Sequence, residues 1–356
     1  MQQKTFDLYS KIGGWFVFVI ALTVYWLTVE PTVSYWDAGE YISTSSKLQV
    51  GHPPGAPFFQ LLGAFFSIFA FSESQIALAV NSISVVSSAF VVAFMFWSIV
   101  LLFKKFVPFE KVSAEKKMAV LASAFIGSTA FMFTDSFWFN AGEAEVYAAA
   151  MGLVAFMFYI GLLWDRDMLK PRGDKWLVLF FFMVGLTFGI HFMGLLTIPA
   201  VGYIYYFKTT KQVTPKNFII ATLVVVGILL FVFKLLLPYT LSFFAGAELL
   251  FVNSIGLPFH SGTIIAGLII AGLFYYFIQF TRKKGYRQLN LILLCLLFVL
   301  VGFSSWIMLP IRANAGTVIN ENNPSSAEAL LAYYNRDQYP ETHLFYGPQF
   351  TEIFAG

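Results

Sequence analysis

Apolar runs close to 20 residues long recur along the chain, separated by short polar knots, a spacing that predicts membrane-spanning helices. Nine such runs stand out: Ile12–Val29, Ile76–Phe103, Met118–Phe133, Val146–Trp164, Trp176–Ile190, Phe192–Phe207, Phe218–Pro238, Thr263–Phe280 and Leu289–Pro310. No long period-2 alternation argues for a barrel. The expected fold class is an all-α polytopic membrane protein, a bundle of about nine transmembrane helices. The fifth and sixth runs are short, and a single re-entrant pair in their place would leave the sidedness of the rest unchanged. Residues 30–75, between the first two spans, form an unusually long connection for two helices.

Composition agrees with the pattern. Hydrophobic residues make up 58% of the 356 positions and charged residues 12%, against about 25% charged in soluble domains; mean hydropathy is +0.74. Lys and Arg then orient the bundle, because cytoplasmic connections retain basic residues. All but Lys47, Lys234, Arg312 and Arg336 of the 22 basic residues fall in the N-terminal segment or in the connections from even to odd spans. That sorting places the N-terminus in the cytoplasm and the tail after Pro310 outside. Most acids, Asp37, Glu40, Asp135, Glu143, Glu145, Glu248 and Glu321 among them, sort to the outer side. So do all four histidines, His52, His191, His260 and His343. Scattered basic residues of this kind mark topology and give no support to nucleic-acid binding. The first run lacks a small-x-small cleavage site before Glu30 and reads as a retained anchor rather than a signal peptide. The single cysteine, Cys295, lies mid-span, which removes disulfides and thiolate metal sites.

The acid–base and metal-binding groups therefore gather on one face. In the first loop, Ser34 is placed to cap a short helix running through Trp36, Asp37, Glu40 and Tyr41, with Asp37 and Glu40 one turn apart. Tyr35 and Trp36 suit the headgroup level. Gly51-His52-Pro53-Pro54-Gly55 forces an extended break, and Phe58–Phe71 reads as a second, amphipathic helix on the membrane surface. The plain alternative is that Asp37 and Glu40 are solvated acids favoured at a helix start.

The second loop, 134–146, sets Asp135, Glu143 and Glu145 around the entrance to the fourth span. A charged acid against apolar helix costs about 2.5–3.5 kcal/mol at the bilayer centre, so such acids face a cavity or a partner. Glu143 and Glu145 point to different sides of a helix, and the deeper Glu145 is the one expected to share a cavity with Asp37. His191 is expected to bond a neighbouring carbonyl. Lys234, four residues before Pro238, either snorkels outward or meets a lipid phosphate. In the polar tail, Ser325-Ser326-Ala327-Glu328 reads as a capping box opening a short helix. No Walker loop, HExxH or GxSxG is present, and the short basic cytoplasmic connections leave no room for a nucleotide-using site.

The stretches YWDAGEYISTSSKLQVGHPPGAPFF, GEAEVYA, GIHFMGLLTIP and INENNPSSAEALLAYYNRDQYPETHLFYGP together resemble the Bacteroidota membrane family classed as glycosyltransferase family 117, related to the protein O-mannosyltransferases. The resemblance implies a GT-C-like helical module over 1–310 and an external segment over 311–356 that is either the tail of a short member or the truncated start of a soluble region. It implies an enzyme of the bacterial inner membrane that moves sugar from a polyprenyl phosphate to a Ser or Thr hydroxyl of an exported protein on the periplasmic face. Asp37 stands where that superfamily places its essential first-loop acid. Glu40 replaces an acid adjacent to it in the O-mannosyltransferases, so its role transfers less directly. On this reading Asp37 is the base, Glu40, Glu143, Glu145, His52 and His191 orient the acceptor or a divalent cation of the sort some members use, and Lys234 and Arg312 meet the donor phosphate. A polytopic transporter and a non-catalytic scaffold for envelope assembly are the rival classes.

Overall fold

The structure is a computed structural model that describes residues 1–107, 111–340 and 346–347; His343 lies outside them. Every regular element among these residues is helical, and the one bridge pairs Val50 with Asn320 in parallel. In chain order the helices are α1 (Gln3–Leu27), α2 (Ala38–Ser46), α3 (Pro57–Ser67), α4 (Ile76–Phe106), α5 (Ala114–Met132), α6 (Asp135–Ala141), α7 (Val146–Asp167), α8 (Lys175–Thr187), α9 (Thr197–Thr209), α10 (Pro215–Leu230), α11 (Leu237–Glu248), α12 (Ser261–Lys283), α13 (Arg287–Phe303), α14 (Met308–Asn314) and α15 (Ala327–Asn335). The π-helical segment Phe231–Leu236 joins α10 to α11, and the 3₁₀ turn Ser304–Ile307 joins α13 to α14.

Among the described residues, six helices are long and apolar enough to cross a membrane: Gln3–Leu27, Glu73–Phe106, Val146–Asp167, Pro215–Ser254, Ser261–Lys283 and Arg287–Asn314. A seventh arises if α5 and α6, bent by 70°, form one span. The expected count of nine is therefore not reached by length. The fifth and sixth runs fold as α8 and α9, each of 13 residues, about 20 Å against a hydrocarbon core of about 30 Å. A 3₁₀ turn, Phe192–Leu196, links them.

Two apolar cores share α4. One joins α4 to α1, α5 and α6 through Tyr25, Val85, Val92, Phe96 and Met132. The other joins it to α7, α8, α13 and the loop helices through Val80, Met157, Phe180, Val299 and Trp306. The α8–α13 crossing is among the most extensive helix contacts because two glycines meet there. A Cβ on Gly185 would stand 2.1 Å from the Val299 carbonyl oxygen and 2.9 Å from the Gly302 Cα. Backbone against backbone is the approach that small residues permit between apolar helices.

The ends of the bundle differ in chemistry. At one end the basic connections converge: Lys105 and Lys208 lie 3.1 and 3.7 Å from Asp165, Lys104 pairs with Asp7, and Arg287 reaches Asp174 at 2.8 Å. The other end holds the long first loop and the tail, laced together. Arg312 Nε and Nη2 donate to the Leu48 and Lys47 carbonyls at 2.5 and 3.2 Å. The Ile319 amide donates to Gln49 Oε1, and the Val50 and Glu321 amides close the bridge. Tyr333 Oη donates to the Gly51 carbonyl at 2.5 Å.

Candidate functional site

The first loop starts from two anchors. The Glu30 amide donates to the Gly142 carbonyl, and the buried Asn81 of α4 donates to the carbonyls of Glu30 and Thr32 at 2.6 and 2.9 Å. The chain then turns sharply, and Trp36 takes a left-handed φ of 58°. This turn corrects the expected helix: Ser34 does not cap it. The helix begins at Ala38, with Asp37 at the N-cap position and no side-chain capping bond. The Asp37 amide instead donates to Glu145 Oε1 at 3.1 Å, across 108 residues of sequence. Asp37 and Glu40 remain one turn apart, and the Asp37 side chain is 56% exposed.

Glu40 directs its carboxylate at His52. Oε1 accepts the His52 amide at 2.6 Å and Oε2 lies 2.9 Å from Nδ1. Gly51 makes room for this, since a Cβ there would sit 2.5 Å from Glu40 Oε1. After His52 a turn closed by the Gly55 amide on the His52 carbonyl brings the chain into α3. The first amides of α3, from Phe58 and Phe59, donate to the Gly189 carbonyl at 2.7 and 3.0 Å. His52 Nε2 faces Asp37 Oδ2 across 4.0 Å, and the Tyr41 ring flanks the imidazole at 6.1 Å.

The electrostatics follow from burial and pairing. The hydrogen bond that His52 donates to Glu40 raises the His52 pKa; burial opposes this, and the charges of Glu40, Asp37 and Glu321 add to the rise. Burial pushes Glu40 upward, but the two hydrogen bonds and the charge of His52 outweigh it, and its net shift is downward. Glu145 is 6% exposed. Burial and the Asp37 charge raise it to about 7, against the Asp37 amide. One carboxyl of the pair is thus held as an acid near neutrality, an arrangement common where acid–base chemistry occurs.

Of the other sequence candidates, Glu143 is buried beside Glu145, whose amide donates to the Glu143 carbonyl. Asp135 opens α6 in an exposed position. His191 accepts the Met193 amide at Nδ1 and caps the 3₁₀ turn, with the Tyr147 ring 5.4 Å away. That amide bond fills the structural place expected of it, although its partner is an amide rather than a carbonyl. Arg312 is tied to the last residues of the α2 segment. Lys234 is exposed on the π-helical segment, its ammonium 4.8 Å from the Phe233 ring, away from the Asp37 cluster's hydrogen bonds. Glu248 serves as a cap for α12, accepting the His260 and Thr263 amides at 2.5 and 2.7 Å. The tail helix is capped by Ser326, which accepts the Ala329 amide. Glu328 is one residue too early to complete the capping box that was expected.

Two residues that sequence reasoning left aside join the site. Glu321, half-buried, acts electrostatically on His52 and has its own pKa raised by burial and by Glu40. Tyr333 holds the Gly51 carbonyl. Both lie in the tail stretch INENNPSSAEALLAYYNRDQYPETHLFYGP, whose sequence alone does not link them to the first loop.

Asp37, Glu40 and His52 each offer one ligand atom, and these lie within 4.8 Å of one another. The donor set nevertheless fits a resident cation poorly. Glu40 gives both oxygens to His52, and His52 gives Nδ1 to Glu40. Only Asp37 and His52 Nε2 remain, fewer than the three or four protein ligands of zinc or the oxygen-rich shells of calcium and magnesium.

Comparison with known proteins finds a matching family and curated relatives. Residues 37–214, half of the chain and starting at Asp37, match the family described as Protein O-mannosyl-transferase TMEM260 N-terminal domain. Over 151 residues, 42% of this chain, the sequence is 26% identical to Protein O-mannosyl-transferase tmem260 of Dictyostelium discoideum, and the match spans only 17% of that relative. No solved structure matches.

Proposed function

The chain belongs to the Protein O-mannosyl-transferase TMEM260 N-terminal domain family, and from that premise we propose that it is a membrane glycosyltransferase that moves a sugar from a polyprenyl phosphate to a Ser or Thr hydroxyl of an exported protein. The observation that carries the proposal is the meeting of Asp37, Glu145 and His52, from two separate loops, at one end of an apolar helical bundle. What carries forward from the resemblance above is its relation to protein O-mannosyltransferases; family 117 is the narrower proposal.

Chemistry explains why such a site belongs there. A lipid-linked sugar has its chain in the bilayer and its anomeric carbon at headgroup level. A hydroxyl has a high pKa, and a positioned base contributes about 10²–10⁴ in rate. Asp37 takes the hydroxyl proton, the oxygen forms a bond to the anomeric carbon, and the bond from that carbon to the phosphate oxygen breaks with its electron pair leaving on the polyprenyl phosphate. Glu145 holds the Asp37 backbone in place. For the departing phosphate, Arg312 is tied into the same loop as Asp37, whereas Lys234 stands on an exposed helix face.

A cavity of about 730 Å³ lies between α11, α12, α13 and the start of α15. Leu300, Phe303 and Ile270 are among its apolar lining residues, and Asn314, Ser325 and Ser326 among its polar ones. A mainly apolar lining with a few polar groups suits a lipid chain with a polar head. The basic end of the bundle is assigned to the cytoplasm and the Asp37 end to the periplasmic side of a bacterial inner membrane, following the positive-inside rule.

The test is donor choice by the purified chain in lipid nanodiscs. Transfer from a polyprenyl-phosphate sugar, and none from the matching nucleotide sugar, is expected. Transfer from the nucleotide sugar alone would overturn the proposal.

A further inference from the structure

We propose that Asp37 Oδ2 and His52 Nε2 form a two-point seat for a single acceptor oxygen, and that Glu40 is the positioning residue that aims the ring. The inference rests on the transferase reading above and assigns His52 a role on the acceptor side of it.

The geometry carries the assignment in three steps. Glu40 holds His52 at two places, the amide at 2.6 Å and Nδ1 at 2.9 Å. An imidazole fixed at its own backbone and at Nδ1 cannot rotate, so Nε2 is aimed at Asp37. Carboxylates that orient histidines in metal and catalytic sites act in this way.

The second step concerns the gap. At 4.0 Å the two atoms are too far apart for a hydrogen bond, which needs about 2.7–3.2 Å. One oxygen placed about 2.8 Å from each closes the gap as a bent bridge, with both contacts at ordinary length.

The third step excludes the leaving-group side. Two groups acting on opposite faces of a sugar carbon stand about 5–9.5 Å apart. The Asp37–His52 separation is shorter, so both address the same oxygen. The ring carries a proton at Nδ1 for Glu40, and the surrounding carboxylates favour another at Nε2. From Nε2 it donates to one lone pair of the hydroxyl while the hydroxyl hydrogen passes to Asp37. The remaining lone pair is left facing the anomeric carbon. No bond of His52 changes in the transfer; it fixes the rotation of the hydroxyl.

Two readouts on the full chain in nanodiscs test this. Histidine-selective ¹⁵N NMR, which needs no activity, is expected to show the Nδ1 proton of His52 in the unmodified chain and its loss in Glu40→Ala. An unchanged Nδ1 signal in Glu40→Ala would overturn the positioning role. In kinetics, His52→Ala is expected to lower kcat/KM for the acceptor about tenfold to a hundredfold, the worth of one charge-assisted hydrogen bond. The donor KM is expected to stay unchanged. His52→Gln, which keeps an N–H donor, is expected to recover part of that loss. Glu40→Ala added to His52→Ala is expected to cost nothing more, because residues acting as a unit are not additive. Asp37→Asn abolishing transfer while His52→Ala keeps wild-type kcat/KM would overturn the seat and leave the transferase reading standing. Independent, additive losses from Glu40 and His52, or a loss that falls on the donor KM, would also overturn it. Absence of transfer by the unmodified chain would overturn the seat together with that reading.

Discussion

Asp37 stands out as a candidate in the local sequence because an acid one turn from a second acid, just past an apolar run, is unusual in so hydrophobic a chain. Glu145 was legible only as the deeper of two acids. Its bond to the Asp37 amide spans 108 residues and leaves no periodic trace. The contact that fixes His52 was hidden for a similar reason: Pro53 and Pro54 announce a rigid break, but nothing in that motif says that Glu40 will hold the ring. The pH dependence of stability follows at this scale. The Glu145 carboxyl, raised from 4.5 to about 7, binds its proton more tightly folded than unfolded. Its contribution is fully present below 4.5 and is lost as pH rises through about 7. His52, also raised, loses its contribution in the same direction. The thermal stability of the purified protein is therefore expected to fall between pH 5 and pH 8, and Glu145→Gln to flatten part of that slope. A variant with the full wild-type slope would show that Glu145 does not hold a proton in the fold.

Among the elements, the long helices followed from apolar run length, but α1 starts at Gln3, well before Ile12, and the helical stretch from Pro215 continues to Ser254, well past Pro238. The start of α2 did not follow from local sequence. Ser34 has the right chemistry for a cap, yet the turn at Trp36 that brings the Asp37 amide to Glu145 moves the helix start to Ala38. Short-range propensity yielded there to a tertiary hydrogen bond. The tail lay equally beyond reach, because Arg312 and Leu48 meet across 264 residues. The α8–α13 crossing rests on Gly185 and Gly302 meeting backbone to backbone. Gly185→Ala is expected to destabilise the protein by about 1–3 kcal/mol, because its Cβ meets backbone that cannot move aside. Gly227→Ala, in α10 with nothing within 4 Å, is expected to stay within about 1 kcal/mol of wild type. Equal unfolding temperatures for the two variants would contradict the close crossing.

At the scale of the whole molecule, charge sorted the chain into two ends before any contact was known, and the contacts agree. Asp165 gathers lysines from two basic connections at one end, while the first loop and the tail interlock at the other. The count of spans was less legible, since α8 and α9 carry the composition of membrane helices without the length. The match covers only 17% of the length of the curated relative. The central claim is that a carboxylate at the end of this bundle removes the acceptor proton. Its most direct test is the rate of sugar transfer from a polyprenyl-phosphate donor by purified Asp37→Asn protein whose folding matches wild type. A fall of at least about 10²-fold is predicted, the lower range for loss of a general base. A rate near that of the unmodified chain would contradict the account.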